Sequence, residues 1–136
     1  MLKDSINQLF DLYQAAFEAF DLKGVRKYYE LPCQLTTPGR IITLNNDLEF
    51  KQEFSRLFDA IRDTSFIRAI SDRKTYSQLN QKHLLISMNW SFLDNKENIL
   101  AKFSALYSLM NINDEWKITS VVSYDFDKLV VLTAEW

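Results

Sequence analysis

The sequence predicts an α+β fold, with helices from the first half of the chain packed against a mostly antiparallel sheet made by the second half. Two observations carry the division. Up to about Asp63, apolar residues recur every three or four positions, the period of a helix with one buried stripe, whereas after Ser65 they alternate as in half-buried strands. A third observation sets the size of the elements: only two Gly and two Pro interrupt 136 residues. Such sparse punctuation favours a few long elements over a sandwich of many short strands.

Ile6, Leu9, Phe10, Tyr13, Phe17 and Phe20 draw the first helix, with Asp4 or Ser5 available as its N-cap. Leu22, Val25, Tyr28 and Tyr29 give "DLKGVRKYY" the apolar side of a short second helix, expected to stop near Tyr29 because Pro32 cannot continue it. "CQLTT" and "RIITL" follow as two β-rich runs joined by a turn at Pro38-Gly39. Asn46 or Asp47 then caps a third helix striped by Phe50, Phe54, Leu57, Phe58 and Ile61, ending around Asp63 or Thr64. Four extended runs, 66–79, 83–93, 99–112 and 116–124, are separated by "NQK", "DNKEN" and "NDE", which suits antiparallel hairpins. In the second of them Leu84, Ile86, Met88, Trp90 and Phe92 share one face, opposite His83, Ser87, Asn89 and Ser91, as in a sheet packed on one side. The closing stretch "DFDKLVVLTAEW" suits either an extra edge strand or an arm laid over another surface.

Sixteen basic residues stand against eighteen acidic ones, and both signs are interspersed. No nucleic-acid partner is expected, because phosphate-backbone binding needs a concentrated basic surface. No apolar run approaches eighteen residues, so no membrane span is expected. The single Cys33 cannot form an internal disulfide and "MLKDSINQLF" lacks a basic-then-apolar leader, which points to a reducing, cytoplasmic setting. One domain over residues 1–136 is expected, since two would each be too small. The chain has no Cys/His cluster or glycine-rich loop, so neither a metal nor a cofactor is expected.

Asp21-Leu22 after the first helix, a short helix ending at Tyr29, Pro38 at the strand turn and the order of elements resemble the nuclear-transport-factor-2-like superfamily over about residues 5 to 125. The resemblance implies a curved sheet wrapped around the N-terminal helices, a cone-shaped α+β barrel with a helix-lined cavity, and homodimers paired through the outer sheet face. Enzymes, carriers and interaction domains share such a scaffold. Beside the ketosteroid isomerases of the superfamily, Tyr13 falls at the tyrosine position, Thr37 at the catalytic base and Ser108 at the late-strand acid. A Thr hydroxyl cannot hold a proton near neutral pH, so the usual isomerase reaction is not expected. Polyketide cyclases of the same fold use Asp, His, Arg or Asn on the long strands, for which His83, Asp125, Arg40, Arg68 and Asn89 could stand in. His83 is the first to suspect, since imidazoles titrate near neutrality. Each has a plain alternative, an exposed strand end for His83 and the start of a turn for Asp125.

The cavity residues this implies are Tyr13, Phe17, Tyr29, Thr37, Phe58, Trp90, Ser108 and Asp125. Tyr13 lies in the core stripe of its helix, so its ring is buried whatever its hydroxyl does. Trp90 and Met88 would fill part of the cone, and Cys33 reads as an inert buried thiol. With Ser108 inside, Ala101, Phe103, Ala105, Tyr107 and Leu109 would face outward and need covering, by a second copy or by the tail in cis; a β-bulge would reverse the faces. The expected function is therefore binding of a small apolar or aromatic molecule, or service as a dimeric interaction module, without catalytic residues. An enzyme of the polyketide cyclase, dehydratase or isomerase kind, with Asp125 or His83 as base and Tyr13 as donor, is the alternative.

Overall fold

Capping chemistry and apolar stripes place the helices. In the computed structural model, which describes residues 2–135, α1 spans Leu2–Glu18 and buries Ile6, Leu9, Phe10 and Tyr13. It begins ahead of the expected cap, and Asp4 sits within the first turn, where a carboxylate faces the positive end of the helix dipole. The helix closes in a Schellman turn: Asp21 N donates to Ala16 O, Phe20 N donates to Phe17 O, and Phe20 adopts φ 54°. A left-handed residue with a side chain costs about 1 kcal/mol. Packing of the Phe20 ring, 5.5 Å from that of Phe58 and beneath the Arg62 guanidinium, offsets that cost.

Asp21 then caps α2 (Leu22–Arg26), its carboxylate accepting from Gly24 N at 3.0 Å. This helix stops three residues before Tyr29, because Tyr29 is claimed by β1 (Tyr29–Thr37). The distant partner is decisive, since Tyr29 is in register with Ile118 and Ile118 N donates to Tyr28 O at 2.8 Å. β2 (Arg40–Leu44) returns from the Pro38-Gly39 turn, and α3 (Asp47–Arg62) follows, with the Asn46 side chain accepting from Glu49 N at 2.9 Å. Its stripe buries Phe50, Phe54 and Phe58.

The remaining strands are β3 (Arg68–Asn80), β4 (His83–Leu93), β5 (Ile99–Ile112), β6 (Glu115–Tyr124) and a short β7 (Ala134–Glu135). They form one sheet in the order β2-β1-β6-β5-β4-β3-β7, parallel only between β1 and β6. Asn113 and Asp114, both at positive φ, make the two-residue turn between β5 and β6 whose twist suits a hairpin. Register shifts at Asp72/Thr75 and Ser108/Leu109 bend the strands and increase their twist, so the sheet curls around the helices.

Leu84, Ile86, Met88 and Trp90 are buried, as the alternation predicts. The opposite face of β4 departs from expectation, with Ser87 0% and Asn89 3% exposed. The C-terminal segment covers it: Ser87 Oγ donates to Val130 O at 2.6 Å and Leu132 N donates to Thr75 Oγ1 at 3.0 Å. The tail is thus both an arm over the outer face and, through β7 on β3, an edge strand.

The expected facing of β5 is reversed. Ala105, Tyr107 and Leu109 are buried, Tyr107 against Phe10 at 5.0 Å, and Ser108 lies on the other face. Charge decides this, because turning Ser108 inward would carry Lys102 with it and bury an ammonium without a partner.

Candidate functional site

The curl of the sheet and the two long helices leave a cavity of about 400 Å³. That lies within the span of about 300–1,000 Å³ usual for small-molecule sites. α1 supplies Tyr13, Gln14 and Phe17; α3 supplies Glu53, Phe54, Arg56, Leu57 and Ile61, which recur on one face at helical spacing. β1 contributes Tyr29, Leu35, Thr36 and Thr37, and the later strands contribute Trp90, Phe92, Phe103, Tyr107 and Val121.

Eight aromatic side chains stand in this wall, and the tyrosine hydroxyls among them make its buried polar part. The Tyr13 and Tyr29 oxygens are 2.9 Å apart, and Trp90 Nε1 donates to the Tyr107 oxygen at 2.9 Å. Ala105, between Phe103 and Tyr107 on the same face, is small enough to leave the indole this reach. A phenol carries one proton. One proton is used between Tyr13 and Tyr29; the second of that pair, and the proton of Tyr107, have no acceptor among the described residues. Burial pushes the Tyr13 phenol up to about 12 and those of Tyr29 and Tyr107 well above their ordinary value, so all three are neutral donors. Burial likewise raises the Cys33 thiol to about 11, which leaves no nucleophilic thiolate near neutral pH.

The mouth is built differently. The β1–β2 turn brings Arg40 opposite Thr37, while Glu53 and Arg56 stand one turn apart on α3. Arg56 hydrogen-bonds the Glu53 carboxylate, which raises the guanidinium above its ordinary value, and Arg40 approaches the same carboxylate at 4.0 Å. The Glu53 side chain is only 13% exposed and each Arg side chain 56%.

Residues 3–126 match the family described as NTF2-like protein (DUF6841). The chain belongs to that family. This NTF2-like chain is similar to an NTF-2 like protein of unknown function from Shewanella oneidensis MR-1 (18% identity, 92% of this chain and 100% of that one, TM-score 0.75). A protein of unknown function with a cystatin-like fold from Nostoc punctiforme PCC 73102 is similar at 16% identity (89% and 88% covered, TM-score 0.72). So is a ketosteroid isomerase-like protein from Erwinia carotovora atroseptica SCRI1043, also at 16% identity (88% and 92% covered, TM-score 0.65). These likenesses establish the fold. None of the curated proteins matches the chain.

Within the NTF2-like cone, five of the expected cavity residues converge: Tyr13, Phe17, Tyr29, Thr37 and Trp90. The other three do not. Phe58 is buried behind the wall, its ring 5.3 Å from Phe17 and 6.1 Å from Phe54. Ser108 lies on the outer face, paired with Leu85 and Ser120. Asp125 is exposed at the end of β6, its carbonyl accepting from Lys128 N at 3.1 Å as a turn begins. His83 sits at a strand start 3.1 Å from Asn80 Oδ1, and Arg68 pairs with Glu97 at 2.9 Å; neither they nor Asn89 line the cavity. Of the suggested stand-ins, Arg40 alone reaches it. Gln14, Glu53, Arg56, Phe103 and Tyr107 went unpredicted. Glu53 and Arg56 were visible as the polar borders of the Phe50–Ile61 stripe, where an amphipathic helix meets the rim of what it covers. Among the described residues no cluster of His, Cys, Asp or Glu could hold a metal ion, and no helix is long and apolar enough to cross a membrane.

Proposed function

We propose that this NTF2-like domain is a non-catalytic binding module for a small, largely apolar or aromatic molecule carrying a hydrogen-bond acceptor. One observation carries the reading: an apolar cavity whose buried polar groups are neutral Tyr13, Tyr29 and Tyr107 donors, two of their protons lacking acceptors. A carbonyl, ether or phenol oxygen would take those protons, while the ring of such a molecule would replace water against Phe17, Phe54 and Phe103. General-base catalysis is poorly served. Thr37 occupies the position where the isomerases keep their base, and the one carboxylate of the lining, Glu53, is engaged by Arg56 at the mouth.

The test is calorimetric titration with acetylnaphthalene and ethylnaphthalene, which differ in a carbonyl oxygen. The ketone is expected to bind about tenfold more tightly, since an unmatched buried donor costs about 1–3 kcal/mol. Tyr13→Phe should narrow the difference. Failure of both probes to bind folded protein would end the proposal. Self-association through the outer face forms a second part of the proposal, supported by half-exposed Leu85, Leu106, Met110 and Val122. Light scattering that finds only monomer at high concentration would remove it.

A further inference from the structure

The cavity mouth carries a charge that the interior does not explain. Two guanidinium groups, Arg40 and Arg56, share one carboxylate, Glu53, and the lining holds no other acid. One positive charge is left over in a chain whose net charge is -2. The sharing is also unequal. Arg56 hydrogen-bonds Glu53 through Nε and a terminal nitrogen, whereas Arg40 stands 4.0 Å away, a distance too long for a hydrogen bond. A guanidinium has five N–H donors in a planar fork, and Arg40, 56% exposed and without a hydrogen bond to Glu53, keeps that fork available to a ligand at the mouth. Thr37, directly opposite Arg40 in the hairpin, contributes a hydroxyl and no charge. An acid at that position would have cancelled the excess.

We propose that the molecule taken by this cavity is a small aromatic or apolar monocarboxylate with a further acceptor oxygen, its ring among Phe17, Phe54, Trp90 and Phe103, that oxygen toward the Tyr13, Tyr29 and Tyr107 hydroxyls, and its carboxylate on Arg40 and Arg56 at the mouth. The inference rests on the binding reading above and narrows it to one charge class. A carboxylate matches the guanidinium fork and neutralises the single excess charge. The positive mouth of an otherwise acidic protein would also draw such an anion in. Glu53 becomes a resident competitor, holding the two arginines in place until the ligand's carboxylate takes the outer donors.

Naphthoate and naphthamide, nearly identical in shape, provide the test by calorimetric titration at low salt. Naphthoate should bind about tenfold more tightly, the worth of a charge-assisted hydrogen bond. The preference should disappear in Arg40→Gln and shrink as salt is raised. Glu53→Gln provides the sharper check, because removing the competitor should strengthen naphthoate binding and leave naphthamide unchanged. A merely structural Glu53 would instead weaken both. Near-UV circular dichroism confirms that each variant keeps its packing. Equal binding of the two probes, or weaker naphthoate binding by Glu53→Gln, overturns the carboxylate assignment while leaving the cavity a binding site. If neither probe nor the neutral ketone binds folded protein, the binding reading itself fails.

Discussion

Raising the pH from about 8 to about 10.5 is expected to weaken the fold through four groups, Cys33 and the three cavity tyrosines. The folded Tyr13 phenol holds its proton up to about 12 against an ordinary value of 10.0, and the Cys33 thiol up to about 11 against 9.0. Burial likewise raises Tyr29 and Tyr107 well above their ordinary value. These are acids raised by burial, so the folded chain binds more protons than the unfolded chain once pH passes the unfolded values. Stability is then full below about pH 9 and falls above it. By linkage, each tyrosine costs roughly 0.8 kcal/mol at about pH 10.5 and the thiol roughly 2 kcal/mol, a sum of about 4 kcal/mol. That is a large part of the 5–15 kcal/mol typical of a domain. Urea unfolding followed by circular dichroism across this range measures the loss, and tyrosinate absorbance follows the phenols. Three of the six tyrosines should resist ionisation until the protein unfolds. A flat stability profile, or full tyrosinate absorbance while the dichroism stays native, would show that water reaches the hydroxyls and refute the burial that raises these phenols.

Tyr107→Phe removes the acceptor of Trp90 Nε1 in a buried site and should cost about 1–3 kcal/mol in urea unfolding; an unchanged midpoint would dissolve that hydrogen bond. In Gly24→Ala the new Cβ would lie 2.5 Å from Asp21 Oδ2 and 3.0 Å from Ala16 Cβ, displacing the cap of α2. The expected loss is about 1 kcal/mol, and a stabilised variant would contradict the cap geometry. Deleting residues 126–136 breaks the bonds from Ser87 to Val130 and from Leu132 to Thr75, among others, for a loss of roughly 3 kcal/mol. Because the tail lies on the outer face, probe affinity of the truncated protein should stay within about twofold of the full chain when both are folded.

Local patterns were enough for most of the fold. Alternation located β4 and β5 to the residue, and Asn46 marked the start of α3. What escaped depended on distant partners. The short helix gave up Tyr29 because β6 pairs with it from almost ninety residues away, a competition invisible in "RKYYELP". Ser87 and Asn89 looked solvated because polar residues on a strand usually are, but hydrogen-bonding groups bury equally well beneath a segment that can bond to them. The error at Ser108 is of another kind. Period-two alternation sorts a strand into two faces without saying which is inside. Comparing the faces would have settled it, since one holds Phe103 and Tyr107 and the other Lys102 and Ser104. The site was half legible for the same reason: Tyr13 follows from the stripe of the first helix and Thr37 from its place before Pro38, whereas the mouth assembles from residues 40, 53 and 56 only once the hairpin meets α3.

The unused tyrosine protons connect stability to binding. Two buried donors have no acceptor among the described residues, and a closely packed core would have filled the space beside them. A local conflict of this kind, in a core otherwise consistent from helix stripe to strand face, is where a binding site is expected. A ligand that brings an acceptor would engage those protons, so its binding should stabilise the fold beyond what burial of its ring alone would give. At equal occupancy of the cavity, the ketone probe should therefore raise the unfolding midpoint more than its hydrocarbon analogue, and Tyr13→Phe should shrink that gap while leaving the hydrocarbon's effect in place. Equal stabilisation by the two probes would mean that the hydroxyl protons already have partners and that the cavity selects by shape alone.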